Sequence, residues 1–169
     1  MLGYISMNGT PGEADLLLTT LATDLEAQGI RLAGAVQTNI DIGADCGCDM
    51  ELRVLGDDGP VVRISQSLGT QSQGCRLDAG ALETAVARAC HALKAGADLV
   101  VLNKFARQES FGRGFREVIA LALEMGVPVL TYVPDDYAQA FTEFAGDLAI
   151  PVARDSAADW CRTVIRKAA

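Results

Sequence analysis

Histidine is nearly absent from this chain: His91 is the one copy in 169 residues, and it falls inside a helical pattern beside Cys90. Imidazole catalysis and histidine-rich zinc sites therefore have almost nothing to draw on. Tryptophan is also single, and Trp160 reads as helix-face core rather than a cofactor platform. Basic residues are in deficit, 14 Lys and Arg against 22 Asp and Glu, for a net charge of -8 and a pI near 4.5. Most of such a surface repels nucleic acid and anionic membranes, which excludes both as expected partners. No apolar run reaches the roughly eighteen residues of a membrane helix, and Met1-Leu2-Gly3-Tyr4 lacks the basic start of a secretory signal, so the expected location is the cytoplasm.

What is present is enough for one domain spanning residues 1–169, since half the residues are hydrophobic and can form a real core. Strand and helix patterns alternate along it. Leu2 to Met7 reads as a strand, and Glu13 to Gln28 as a helix with Leu17, Leu21 and Leu25 at fourfold spacing before Gly29. Ile30 to Thr38 is a second strand. Met50 to Leu55 and Val61 to Ser65 alternate around Gly56-Asp57-Asp58-Gly59, the pattern of an antiparallel hairpin insertion. Asp78 caps a helix to about Lys94, and Leu99-Val100-Val101-Leu102 reads as a central strand covered on both faces. Gly114 to Met125, Val127 to Val133, Asp135 to Phe144, Ile150 to Val152 and a helix from Asp155 complete the alternation. The expected fold class is α/β: a three-layer, mostly parallel sheet with helices on both faces and the hairpin at an edge.

Ligands of such sheets bind beyond the carboxyl ends of the strands. The first of these turns, Asn8-Gly9-Thr10-Pro11-Gly12-Glu13-Ala14-Asp15-Leu16, lies where a G-x-x-x-x-G-K-[ST] phosphate loop would lie. Gly9 fits its first glycine, but Ala14 replaces the second, Asp15 replaces the lysine and Leu16 the magnesium-binding hydroxyl. Exchanging cation for anion there turns attraction into repulsion on the order of 1 to 4 kcal/mol per charge pair near 4 Å. Either Gly9, Pro11 and Gly12 only make a tight turn, or backbone amides of the loop, at Gly9, Thr10 and Gly12, retain an anion nest.

Lys104, Arg107, Arg113 and Arg116 form a local cationic patch in an otherwise acidic chain, with Gly112 and Gly114 letting backbone approach a ligand. A small anionic ligand is the partner such a patch suits. The alternative is a solvated loop in which Glu109 and Glu117 pair with the arginines. Gln37, Asn39 and Gln66 can read a base or an oxyanion from strand ends, or simply terminate strands.

Cys46, Cys48 and Cys75 lie in polar loops flanking the hairpin, whereas Cys90 and Cys161 sit in apolar helical patterns. Three readings stay open for the loop thiols: a metal or oxyanion site at Cys48 and Cys75, helped by Asp45 and Asp49; a redox-sensitive pair; or ordinary unpaired cysteines.

Taken together, Gly9-Thr10-Pro11-Gly12, Ala33-Gly34-Ala35-Val36-Gln37-Thr38-Asn39, Cys48-Asp49-Met50, Arg63-Ile64-Ser65-Gln66, Gly74-Cys75-Arg76-Leu77-Asp78 and Asn103-Lys104-Phe105-Ala106-Arg107-Gln108-Glu109 resemble the bacterial family called domain of unknown function 2478. That family is similar to a small P-loop nucleoside-triphosphatase family with an intact phosphate loop and an Asp-Glu pair closing the third core strand. Asn103-Lys104 stands in that pair's place. The resemblance implies that the α/β fold is P-loop NTPase-like without the two standard catalytic features, and a connection to molybdenum uptake or cofactor assembly.

Two function classes follow: a non-hydrolysing binding or regulatory protein for a nucleotide-like or oxyanion ligand, or an enzyme. The enzyme would be a phosphohydrolase recruiting magnesium through Asp15, Asp49 or Glu109, or a thiol- or metal-dependent activity at Cys48 and Cys75. A homo-oligomer is compatible with either. The thiol assignment is checked by alkylation kinetics: Cys46, Cys48 and Cys75 should label well before Cys90 and Cys161 in the folded protein, and equal rates would contradict it.

Overall fold

Leu99, Val100, Val101 and Leu102 offer water no polar face, and in the computed structural model all four are buried. They form β5 (Leu99–Leu102), the middle strand of a seven-stranded sheet ordered β4-β3-β2-β5-β6-β1-β7. The structure describes residues 1–7, 10, 12–40, 49–66 and 77–168, without the side chains of Ile40 and Ala168. Gly9 of the first turn and the loop thiols Cys46, Cys48 and Cys75 lie outside the described residues.

The remaining strands are β1 (Leu2–Ile5), β2 (Leu32–Ile40), β3 (Asp49–Leu55), β4 (Val62–Arg63), β6 (Val129–Tyr132) and β7 (Ala149–Pro151). Pairings of β5 with β2 and β6, and of β1 with β6 and β7, are parallel. β2, β3 and β4 pair antiparallel, so the hairpin read from Gly56 to Gly59 extends the sheet at one edge. The hairpin turn is fastened by Arg88, whose guanidinium binds the Asp57 carboxylate and the Pro60 carbonyl.

The described residues form six α-helices, α1 (Glu13–Ala27), α2 (Ala79–Ala95), α3 (Arg107–Ser110), α4 (Arg116–Glu124), α5 (Ala138–Ala145) and α6 (Ala157–Ala168), and all but the short α3 cover the two faces. Strand alternation divides the core between them. Leu99 and Val101 join Ile5, Leu18, Leu25 and Val164 under α1 and α6, while Val100 and Leu102 join Leu82, Val86, Ile119 and Phe141 under α2, α4 and α5. Asp78 caps α2 by accepting the Ala81 N–H at 3.0 Å. Both helix cysteines are buried, and desolvation pushes the Cys161 thiol up to about 12. No described helix is long and apolar enough to cross a membrane.

Two regions differ from the sequence pattern. The segment read as a basic loop after β5 contains the short helix α3, because the Glu109 carboxylate caps the start of its own helix at Ala106. Strand β2 runs past Thr38 to Ile40, because β3 pairs with it through Asn39 and Ile40 after β5 has ended at Leu102.

Gly34 is the tightest backbone point in the sheet, with φ at +112° and a hypothetical Cβ only 2.1 Å from the Val101 carbonyl oxygen. Gly34→Ala should therefore cost at least about 3 kcal/mol in a urea unfolding titration. Gly29→Ala, at φ +79° but with nothing within 4 Å, should cost only roughly 1 to 2 kcal/mol. Equal losses would show that crowding against Val101 is not the cause.

Candidate functional site

The carboxyl ends of β1, β2, β5 and β6 face one side of the molecule, and a polar centre lies there. Gly12 precedes α1 in a left-handed conformation, φ +86°, which lets the chain turn sharply into the helix. The Thr10 carbonyl accepts the Glu13 N–H at 3.1 Å, and the Thr10 N–H donates to Glu13 Oε2 at 3.1 Å. The same carboxylate pairs with Arg154, 141 residues away. Arg154 first, then the Thr10 amide, hold Glu13 below the ordinary glutamate range. No local pattern announces that partner.

Asp15 is also engaged. It accepts Asn39 Nδ2 at 2.5 Å and Gln37 Nε2 at 3.5 Å, and Gln37 Nε2 donates to Asn39 Oδ1 at 2.7 Å. Residues 37 and 39 are two apart on β2, so both amides project from one face of the strand. Asn103, directly after β5, donates from Nδ2 to Gln37 Oε1 at 3.2 Å, and its Oδ1 accepts the Gln37 N–H at 3.3 Å. Gln37 is 4% and Asn103 2% exposed, so each amide satisfies the other where water does not reach. A continuous hydrogen-bonded chain thus runs from the first turn of α1 across β2 to the end of β5.

Lys104 follows Asn103 and is half-buried. Its neighbour Phe105 is fully buried, hydrogen-bonded through its N–H to the Tyr132 carbonyl at 2.8 Å and packed on Phe141 and Phe144. Anchored on both sides, Lys104 forms no side-chain ion pair or hydrogen bond among the described residues. It borders two cavities. One, of about 600 Å³, opens between the α1 turn and the ends of β2 and β6, with Thr10, Gly12, Asp15 and Asn39 on its wall. The other, of about 220 Å³, lies between the hairpin and α2 and is walled by Met50, Leu52, Ile64, Leu82 and Phe115. Gln37 and Met50 border both.

Of the remaining candidates, Arg107 borders the smaller cavity, whereas Arg113 lies in a separate depression with Glu83 and Glu117. Gln66 is exposed and borders neither cavity. Glu109, read as a ligand contact or as a partner of Arg107, is buried and turned to the backbone: Oε2 accepts the Ala106 N–H and Oε1 the Phe115 N–H, each at 3.0 Å. It therefore staples the start of α3 to the start of α4. Asp49, a magnesium candidate, is buried against Arg63 at 2.5 Å and Ser65 at 3.0 Å. Among the described residues no three His, Cys, Asp or Glu side chains cluster as metal ligands would. Met50, Leu82 and Phe115, which line the smaller cavity, were invisible as site residues because apolar positions of this kind read equally as core.

Comparison with known proteins adds three findings. Over residues 4–160 the chain matches the family described as "Protein of unknown function (DUF2478)". It is 39% identical over 136 residues to a protein of Bradyrhizobium diazoefficiens named "Molybdenum import ATP-binding protein ModC 2"; the match covers 80% of this chain and 15% of that one, so this chain spans a small part of its relative's length. The structure superposes on that of THEP1 from the hyperthermophile Aquifex aeolicus with a TM-score of 0.63, 16% identity, and coverage of 97% and 96% of the two chains. At that identity the likeness concerns the fold, which is α/β and P-loop-like.

Burial pushes the Glu109 carboxyl above the ordinary glutamate range, against the amides of Ala106 and Phe115, which favour its charge. The folded state thus holds this proton more tightly than the unfolded chain, and the stability so gained is present at low pH and lost as pH rises through the folded-state value. Glu109→Gln places an NH₂ against one backbone N–H and should cost roughly 1 to 3 kcal/mol. Unfolding free energies measured from pH 3 upward should show the wild-type advantage shrinking as pH rises; an advantage that grows with pH would contradict the assignment.

Proposed function

The chain belongs to the family described as "Protein of unknown function (DUF2478)", and from that premise we propose that it is a non-hydrolysing binding or regulatory domain. It takes a small anionic ligand, an oxyanion or the phosphate of a nucleotide, at the carboxyl edge of its P-loop-like sheet. The observation that carries this reading is the hydrogen-bonded chain Asp15, Asn39, Gln37, Asn103. Catalytic phosphate loops need a lysine for the β- and γ-phosphates, a hydroxyl for magnesium, and a carboxylate after the neighbouring strand. Here Asp15, Leu16 and Asn103 stand at those positions, so the Walker A pattern is degenerate, and the polar groups present are engaged with one another.

Lys104 supplies the attraction that Asp15 withholds. Held between buried Asn103 and Phe105, it borders the large cavity without a carboxylate bonded to it among the described residues. A compact point charge of this kind suits a tetrahedral oxyanion as well as it suits a terminal phosphate. The similarity to a protein named for molybdenum import supports a role in molybdenum metabolism, in the cytoplasm, with molybdate among the oxyanions to be bound. The net charge of -8 supports a small-molecule partner over nucleic acid or membrane.

A thermal-shift screen of molybdate, tungstate, sulfate, phosphate, ATP and GTP tests this, since a ligand that binds only the native state raises the melting temperature by mass action. At least one oxyanion or nucleotide should raise it. Lys104→Ala should weaken that ligand by about ten- to a hundredfold, the usual size for a lost charged hydrogen bond of roughly 1.5 to 3 kcal/mol. Phosphate release from ATP and GTP with magnesium should not exceed a blank. Robust turnover abolished by Asp15→Ala would instead make the protein a phosphohydrolase with a non-standard site.

A further inference from the structure

We infer that the 220 Å³ cavity between the hairpin and α2 is a second binding compartment, which takes the ring-sized apolar body of an organic anion whose single charged head rests on Lys104 and Arg107. This goes beyond the oxyanion reading and rests on it only in taking Lys104 as the cation.

The walls decide the ligand's body. Leu52, Ile64, Leu82 and Phe115 are buried, with Met50 and Leu77 half-buried among them. A concave site walled by apolar side chains, with a few convergent polar groups, is the usual form of a small-molecule pocket. An apolar cavity of about 150 Å³ is enough for a benzene, so this one accepts a larger ring system, whereas a hydrated triphosphate would lose its water against walls that offer nothing in return.

The rim decides the head. Among the described residues Lys104 and Arg107 are the cations bordering this cavity, and Gln37 and Asn103 close its polar end with their amides already paired to each other. Glu109 borders it as well, but its two oxygens are spent on the backbone N–H groups of Ala106 and Phe115. The compartment is therefore amphipathic, apolar in its depth and cationic at one side. Because Lys104, Gln37 and Met50 border both cavities, a head group held at Lys104 lies at the partition between them.

The test uses the full chain with 2-naphthoate as probe, 2-naphthamide as its neutral counterpart, and inorganic phosphate as a head without a body. Titration followed by methyl NMR should show saturable shifts of the Leu52 and Leu82 methyl groups with naphthoate, and none at Leu25 on the opposite face of the sheet. Naphthamide should bind roughly tenfold more weakly, Lys104→Gln should reduce that preference, and Lys104→Gln combined with Arg107→Gln should remove it. Leu77→Phe, which fills the cavity, should abolish binding of both ring compounds while leaving any phosphate-induced thermal shift intact. Because the methyl readout works on the unmodified protein, a variant that fails to fold does not decide the matter. Naphthoate that fails to move Leu52 and Leu82, that moves Leu25 equally, or that binds Leu77→Phe as well as wild type overturns the inference. If naphthoate fills the cavity while no oxyanion or nucleotide shifts the melting temperature, the second compartment stands and the oxyanion reading fails. If an oxyanion or nucleotide shifts the melting temperature while naphthoate leaves Leu52 and Leu82 unmoved, the oxyanion reading stands and the second compartment fails.

Discussion

Because no side chain of Leu99–Leu102 reaches water, both faces of the sheet have to be covered, and the remaining layers answer that demand. α1 and α6 close one face over Leu99 and Val101, and α2, α4 and α5 close the other over Val100 and Leu102. At roughly 1.5 to 3 kcal/mol for each large aliphatic side chain removed from water, β5 alone contributes on the order of 10 kcal/mol to the driving force. The end of this strand is in turn rigidly held, since the β2 and β6 backbones flank it on both sides.

Asn103 inherits that rigidity and also its cost. A polar side chain 2% exposed at the end of a buried strand needs partners, and Gln37 meets it with two hydrogen bonds. Gln37 then donates to Asn39 and Asp15, which ties β5 to the first turn of α1. The Asp15 carboxylate in that turn thus already accepts from two neighbouring amides. Asp15 is one end of a satisfied network.

Around this network charge is placed with economy. Glu13 is held by Arg154 and Asp49 by Arg63, both from outside their own elements, while Glu109 is held by backbone amides. Lys104 is left without such a partner among the described residues. A cation so placed between two cavities in an acidic protein is a local reversal of field at the carboxyl edge of β5.

Most of the scaffold was legible in the linear pattern. The apolar run at 99–102 identified a central strand, fourfold leucine spacing identified α1, Asp78 and Gly96 bounded α2, and Gly56-Asp57-Asp58-Gly59 identified the hairpin, because each depends on contacts within a few residues. Gln37, Asn39, Asn103 and Lys104 stood out as polar residues at strand ends, yet their bonding to one another did not, since that requires the register of β2 on β5. The helix α3 was hidden for the same reason: Glu109 caps it through Ala106 but also reaches Phe115, a pairing set by how the segment folds back toward α4. The smaller cavity left no trace in the sequence, because Met50, Leu82 and Phe115 look like any other core residues until the hairpin settles beside α2. Chain chemistry determined the layers and the candidate polar residues; only the tertiary packing decided which of those residues bond to each other and which, Lys104 above all, are left without a bonded partner among the described residues.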